Sequence, residues 1–157
     1  MDCGGPKRAL RRTSATCEVA THQSPALEAQ SLGMLGRESE RRSACLESIA
    51  RAERALALNP ADRRAWALVS LALYSMGDPA RAFEWSKRAL ELDPDDMSVL
   101  VCAACLHARA GLKEEALRIL ERVFARGWGK RDWIEHDPDY DSLRDDPRFR
   151  ALLEKLK

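Results

Sequence analysis

Residues 54–60 read RALALNP, and residues 88–94 read RALELDP. The two phrases are nearly the same, and the numbers of their prolines, Pro60 and Pro94, differ by 34. The residue before a proline is pushed away from helical geometry, so each phrase predicts the end of a helix. Self-similarity at a fixed period is typical of stacked repeats, because one unit cannot bury its own apolar face. The chain is therefore predicted to have an internal period of 34 residues.

The same spacing recurs further along the chain. Residues 116–124 follow Gly111 as residues 82–90 follow Gly77, and the two glycines are again one period apart. Glycine readily adopts the left-handed backbone that ends many helices. Each period is therefore expected to hold two helices with a turn between them.

The best-preserved period, residues 63–96, predicts a pair of packed helices. Its first helix has one apolar face, made by residues at three- and four-residue steps: Trp66, Val69, Leu73 and Met76. Asp78 followed by Pro79 predicts the start of the second helix, because aspartate caps a helix and proline suits its first turn. The second helix supplies a facing stripe: Ala82, Phe83, Ala89 and Leu90. The period is thus expected to fold as a helical hairpin.

This pattern resembles the tetratricopeptide repeat, a helix-turn-helix unit of the same length. In residues 63–96 the matching signature positions are Trp66, Gly77, Ala82, Ala89 and Pro94. In residues 97–130 they are Leu100, Ala104, Gly111 and Ala116, with Val123 and Trp128 where alanine and proline are expected. Residues 29–62 are degenerate and keep Leu32, Leu35, Gly36, Ala55 and Pro60. The resemblance implies an all-α array of about three helical hairpins, ended by a C-terminal capping helix.

Both ends of the chain differ from the repeats. Residues 131–157 are expected to form a capping segment, with a helix started by Asp146 and Pro147 and an apolar face: Phe149, Leu152, Leu153 and Leu156. This segment also looks like the end that follows such repeats in bacterial multidomain signalling proteins, including class III adenylate cyclases and serine/threonine kinases. Residues 1–28 mix Gly, Pro, Ser, Thr and basic residues without periodicity, which predicts a disordered basic arm.

Composition restricts the classes of function. The 157 residues carry 26 Lys and Arg against 25 Asp and Glu, a net charge of +1, which argues against a strongly basic nucleic-acid binder. The longest uncharged stretches of the apolar region, residues 66–77 and 97–108, are shorter than the roughly 18 residues that span a bilayer. No apolar signal-peptide core follows the N-terminus. We therefore expect a cytoplasmic protein that binds neither membranes nor nucleic acid, with its five cysteines reduced.

Two clusters could be taken for chemical sites. Cys102, Cys105 and His107 offer metal or redox ligands, but structural zinc needs four ligands and redox pairs of this spacing need a βαβ context. They are interpreted as packing positions. His136 lies among acidic residues, yet a calcium loop counted from Asp137 would have Ser142 and Arg148 at its sixth and twelfth positions. Motifs for a nucleophile or a phosphate loop are missing, so we expect no metal, no cofactor and no enzyme activity.

The resemblance implies a concave groove lined by the first helices of successive repeats. Five positions in each first helix face it in that family, which here gives Arg64, Ala67, Leu71, Tyr74, Ser75, Ser98, Val101, Cys105, Ala108 and Arg109. Family members that hold a C-terminal carboxylate use lysine and asparagine where this chain has Ala67, Leu71, Val101 and Cys105. An apolar strip edged by Arg64 and Arg109, with Tyr74 as an anchor, instead suits a peptide with apolar side chains and one acidic group.

The leading hypothesis is therefore a protein-protein interaction module or scaffold that binds a peptide or partner protein. Three alternatives remain open from the sequence. The same face packs against another part of a larger protein or another copy; the chain forms a homo-oligomer through the N-terminal edge of the array; or it is the regulatory tail of a bacterial nucleotide cyclase or kinase whose catalytic domain is absent from this chain.

Overall fold

The protein is described by a computed structural model that covers Leu32 and residues 35–156. All regular elements in that part of the chain are helices, in agreement with the expected all-α class. They are α1 (Glu38–Leu58), α2 (Arg63–Ser75), α3 (Pro79–Leu92), α4 (Met97–Arg109), α5 (Lys113–Ala125), α6 (Arg131–His136), a 3₁₀ helix (Pro138–Leu143) and α7 (Pro147–Leu153). The basic arm expected at residues 1–28 lies outside the described residues.

The helices keep the period found in the sequence. First helices begin at Arg63, Met97 and Arg131, and second helices begin at Pro79, Lys113 and Pro147. Each series advances by one full period at every step, so the period of the helix starts continues into residues 131–153. The match to the signature residues is lost after residue 122, but the spacing of the helices is kept.

The closing segment differs in how its first helix is built. Residues 131–143 form two pieces, α6 and the 3₁₀ helix, where earlier repeats have one helix of 13 residues. Pro138 lies at the junction and cannot donate a backbone hydrogen bond, and Asp137 before it is extended, with φ −74° and ψ 120°. The side chain of Asp137 accepts a hydrogen bond from the backbone N–H of Asp139 and so starts the 3₁₀ helix. Proline thus breaks the helix without shifting the register.

Aspartates start four of the α-helices. The carboxylates of Asp78 and Asp146 accept backbone N–H groups of Arg81 and Arg148, which confirms both predicted caps. Asp62 and Asp96 cap α2 and α4 in the same way. At the other ends, α1 and α3 stop at Leu58 and Leu92, just before the two prolines that suggested those boundaries.

Glycine turns separate the paired helices. Gly77 and Gly111 have φ values of 82° and 74°, in the left-handed region that favours glycine. After each glycine a backbone N–H reaches back across the turn, from Asp78 to the carbonyl of Leu73 (3.0 Å) and from Leu112 to that of His107 (2.9 Å). These bonds satisfy carbonyls that the helix end leaves unpaired.

The core combines fully buried small residues with larger apolar side chains. Ala82, Ala89 and Ala104 are fully buried, which lets helix backbones approach closely. Trp66 is only half-buried: its ring meets Trp85 edge-on at 4.8 Å between ring centroids, and its Nε1 donates to the carbonyl oxygen of Pro60 at 3.0 Å. Trp66 therefore packs against a buried ring on one side and remains partly exposed on the other.

The first repeat departs from the period. Helix α1 has 21 residues and begins well before position 45, where the period counted back from Pro79 would start it. Gly36, expected inside a first helix, instead lies in a turn with φ 67°. Leu35, a packing position in the expected register, is 64% exposed. Ion pairs at three-residue spacing, Arg37 with Glu40 and Glu38 with Arg41, stabilise the additional turns of α1.

No helix within residues 35–156 combines the length and apolar character required to cross a membrane.

Candidate functional site

The concave surface is defined here by the ten positions inferred from the sequence, on α2 and α4. The two helices pack side by side. Arg64 is exposed, and partial exposure is shared by six others: Leu71, Tyr74, Ser75, Ser98, Val101 and Arg109. The remaining three, Ala67, Cys105 and Ala108, are buried at 2%, 6% and 0% exposure.

The buried positions require a correction to the expected groove. Ala67 belongs to a buried cluster with Val99 and Cys102. The 3₁₀ helix contacts the other two positions, since the Tyr140 hydroxyl lies 3.2 Å from Cys105 Sγ and Ser142 Oγ donates to the Ala108 carbonyl at 2.6 Å. These three side chains do not reach a partner in this arrangement. The open part of the surface is narrower than the sequence indicated.

A polar cluster formed by Tyr74, Ser75, Arg109 and Asp139 joins three successive repeats. Arg109 Nη2 donates to Ser75 Oγ at 2.8 Å, and its guanidinium lies 5.5 Å from the centroid of the Tyr74 ring. Tyr74 in turn donates its hydroxyl to the backbone carbonyl of Arg109 at 3.3 Å. On the other side, Arg109 Nε lies 3.8 Å from Asp139 Oδ1. Arg109 therefore connects the concave surface of α2 with the 3₁₀ helix.

Asp139 is the unusual titratable group of this cluster. Burial raises its pKa to about 6, and the neighbouring Asp137 adds to the rise, while the positive charge of Arg109 opposes it. Only 8% of the residue is exposed. The sequence reasoning missed Asp139 as part of this surface. The available signal was its position, two full periods after Leu71 and hence at the same place in the repeat.

The cysteine pair of α4 is part of the packing. Cys102 and Cys105 are both buried, which agrees with their interpretation as packing positions. Burial raises the pKa of the Cys105 thiol well above its usual value, so it is held as a neutral thiol. His107 has its Nδ1 2.7 Å from the carbonyl of Ala103 and its ring edge-on to Phe83. Within the described part of the chain, no group of three or more His, Cys, Asp or Glu side chains is arranged to hold a metal ion.

In the N-terminal half of α4, Ser98 and Val101 keep part of their surface exposed. Ile134 of α6 belongs to a buried cluster that also contains side chains of α4, α5 and α7. Val101 packs against this cluster but is not fully buried by it. Together with Leu71 and Arg64 on α2, Ser98 and Val101 form a partly apolar strip, which we call the open strip.

Comparison with known sequence families agrees with this geometry. Residues 47–123 match the family described as anaphase-promoting complex, cyclosome, subunit 3, which consists of tetratricopeptide-type repeats. This match is consistent with a tetratricopeptide-repeat protein. The match runs from α1 to α5 and covers just under half of the chain. No curated protein matches the sequence.

The family sets a coarse functional class. Tetratricopeptide-type repeats generally mediate protein interactions and are typically non-catalytic. The resemblance of the C-terminal segment to bacterial cyclases and kinases, the cytoplasmic location and self-association at the N-terminal edge stay predictions.

Proposed function

We propose that this protein is an interaction module that binds a segment of a partner protein on the open strip. The observation that supports this most directly is the partial exposure of Leu71 on α2 and Val101 on α4, with Arg64 exposed on α2. Apolar side chains on neighbouring helices with a cation at the edge suit a peptide with apolar residues and an acidic group. No enzymatic activity is proposed.

The strip is best suited to a short segment. Neighbouring helices lie about 8–10 Å apart, so a strip on two first helices accommodates about three to six residues of extended chain, or about two turns of helix. Apolar contact with Leu71 and Val101 supplies affinity, whereas Arg64 at the edge selects against basic segments. Ser98 lies in the same half of α4 as Val101. Its hydroxyl can donate a hydrogen bond to a peptide backbone or accept one from it.

A displayed library of random 12-residue peptides, selected on the wild-type protein, tests this proposal. The variant Val101→Lys places a charge on the strip while its methylene stem keeps contact with the neighbouring apolar side chains. Leu46→Lys is the control, because Leu46 is 52% exposed and belongs to α1, which contributes no residue to the strip. Circular dichroism and thermal melting verify that both variants fold.

Selected peptides are expected to bind the wild type and the control equally and to lose about tenfold or more in affinity for Val101→Lys, the loss typical of a residue that contributes well over about 1 kcal/mol. Peptides that bind all three proteins equally, or a selection that recovers no binder, would contradict the proposal. Light scattering on the same samples distinguishes a second copy of the chain as the occupant.

A further inference from the structure

The polar cluster of Tyr74, Ser75, Arg109 and Asp139 connects the concave surface to the closing segment through a single cation. Arg109 has 28% of its side chain exposed, whereas Asp139 has only 10% of its side chain exposed. The positive charge is thus accessible from the concave surface, while the negative charge that balances it lies beneath. Whether Asp139 is ionised therefore decides the net charge that a partner meets at Arg109.

The contacts of Arg109 do not all depend on Asp139. Its hydrogen bond to Ser75 and its position over the Tyr74 ring are made with neutral groups. The contact with Asp139 is longer, at 3.8 Å between Nε and Oδ1. When Asp139 takes up a proton, Arg109 keeps two of its three partners and is held at the same place. The surface then gains a positive charge without a rearrangement of the helices.

Several charged and titratable groups surround Asp139. Cys105 and Arg109 face it from α4, and Asp137, Tyr140 and Asp141 act on it from its own segment. Arg144 donates to the backbone carbonyl of Asp137 and pairs with Asp141. Cys105 and Tyr140 remain neutral, because burial raises the pKa of each well above its usual value. The cluster therefore contains more acidic groups than cations near Asp139, which favours uptake of a proton at this position.

We infer that this cluster is a pH-responsive element: on mild acidification Asp139 becomes neutral, Arg109 presents an unbalanced positive charge, and the concave surface gains preference for acidic partner segments. The inference rests on the proposed function for the identity of the surface, but the charge change itself does not depend on a partner. A histidine is not needed for the response. Because histidine is the side chain usually responsible for changes of charge in this pH range, the exposed His136, whose Nδ1 meets the carbonyl of Asp132, serves as the control.

The first experiment follows the cluster by NMR without a partner. The Arg109 Nε–H and the Tyr74 ring resonances are recorded between pH 4.5 and 8 in the wild type, Asp139→Asn and His136→Gln. Both reporters are expected to show an inflection near the pKa of Asp139 in the wild type and in His136→Gln, and none in Asp139→Asn. An inflection that persists in Asp139→Asn, or is missing from the wild type, overturns the inference.

The second experiment measures binding. Fluorescein-labelled peptides from the selection above that contain aspartate are titrated at pH 5.5 and 7.5, with asparagine-substituted copies as controls. Affinity of the wild type for the aspartate peptides is expected to rise about fivefold at pH 5.5, which corresponds to about 1 kcal/mol. Asp139→Asn is expected to bind with the tighter affinity at both pH values, and the asparagine copies are expected to show no change.

The outcomes separate this inference from the proposed function. Peptides that bind the open strip with the same affinity at both pH values leave the proposed function standing and overturn the inference. The absence of any binding peptide overturns the proposed function and, with it, the preference for acidic partners. The assignment to Asp139 is also overturned if His136→Gln loses the pH effect on binding while Asp139→Asn keeps it.

Discussion

The middle repeat, residues 63–96, and the closing segment, residues 131–156, have the same helix spacing but different interiors. In the middle repeat Ala82 and Ala89 are fully buried and allow the two helices to contact closely. The position of Ala82 is taken two periods later by Arg150, which is exposed. The closing segment relies on large side chains instead, with Tyr140, Leu143 and Phe149 at 1% exposure or less. The register of the helices is thus preserved where the signature residues are lost.

Contacts between repeats show why the register survives. Hydrogen bonds connect residues that lie about one period apart, such as Arg109 with Ser75 and Cys105 with Tyr140. Further along the chain, both terminal guanidinium nitrogens of Arg148 donate to the Glu114 carboxylate across one full period. Contacts at an interval of about one period thus join each repeat to the next.

The largest expected effect comes from truncating one buried leucine in each region. Leu100 of α4 and Leu143 of the closing segment are both fully buried. Replacement of either by alanine is expected to lower the free energy of unfolding by about 2–5 kcal/mol, the range typical of truncating a buried leucine. Urea unfolding measures the loss. A cost below about 1 kcal/mol for Leu143→Ala alone would show that the closing segment is not packed as the repeats are.

The next effect concerns pH and Asp139. Its folded pKa of about 6 exceeds the ordinary value of about 3.9, so the folded state binds the proton more tightly and ionisation at neutral pH lowers stability. The difference corresponds to at most about 3 kcal/mol, lost as pH rises from about 4 to about 6. Asp139→Asn is expected to unfold at higher temperature than the wild type at pH 7 and at a similar temperature at pH 4. A variant less stable than the wild type at pH 7 would show that the Arg109 pair outweighs burial.

A smaller effect is expected at the signature tryptophan of the middle repeat. Because Trp66 is half-buried, Trp66→Ala is expected to cost about 2 kcal/mol, less than the roughly 3–5 kcal/mol typical of a fully buried ring. Trp66→Phe removes the hydrogen bond to Pro60 but keeps an aromatic ring against Trp85, so its cost is expected to be smaller still. Denaturation curves for the two variants check the order. Equal losses would show that the hydrogen bond, not the ring contact, carries the stabilisation.

The smallest expected effect is a gain at a helix start. Helix α5 begins after Leu112, which is exposed and makes no capping bond, whereas α3 begins after Asp78. Leu112→Asp is therefore expected to raise the free energy of unfolding by about 0.5–1 kcal/mol, and Asp78→Ala to lower it by about 1 kcal/mol. Thermal unfolding of the two variants measures both changes. A destabilising Leu112→Asp would contradict the equivalence of the two helix starts.

Much of the fold could be predicted from the sequence because two nearly identical phrases, residues 54–60 and 88–94, reveal the period. The phrases that end at Pro60 and Pro94 fix two helix ends, and the pairs at Asp78 and Asp146 fix two helix starts. The spacing of these two aspartates, twice the period, was also a signal that the closing segment keeps the register. Local rules of capping and proline geometry act on a few neighbouring residues, so they can be read from sequence.

The site was harder to predict because it depends on what covers each side chain. Cys105 and Ala108 occupy positions expected to face a groove, yet the 3₁₀ helix contacts both. That helix begins at Pro138, which interrupts the first helix of the closing segment. A tertiary contact from the next repeat decides the exposure of these positions, and repeat register alone does not report it.

Hydrogen exchange of the wild-type protein tests most directly whether the array runs through its last helix. The 3₁₀ helix packs against α4, and α7 packs against α5. The amides of the 3₁₀ helix and α7 are therefore expected to be protected from exchange about as strongly as the amides of α4, and to open together with them. Leu143→Ala is expected to release the closing segment while α2 and α3 stay protected. Unprotected amides throughout residues 138–153 of the wild type, beside a protected α4, would contradict the account.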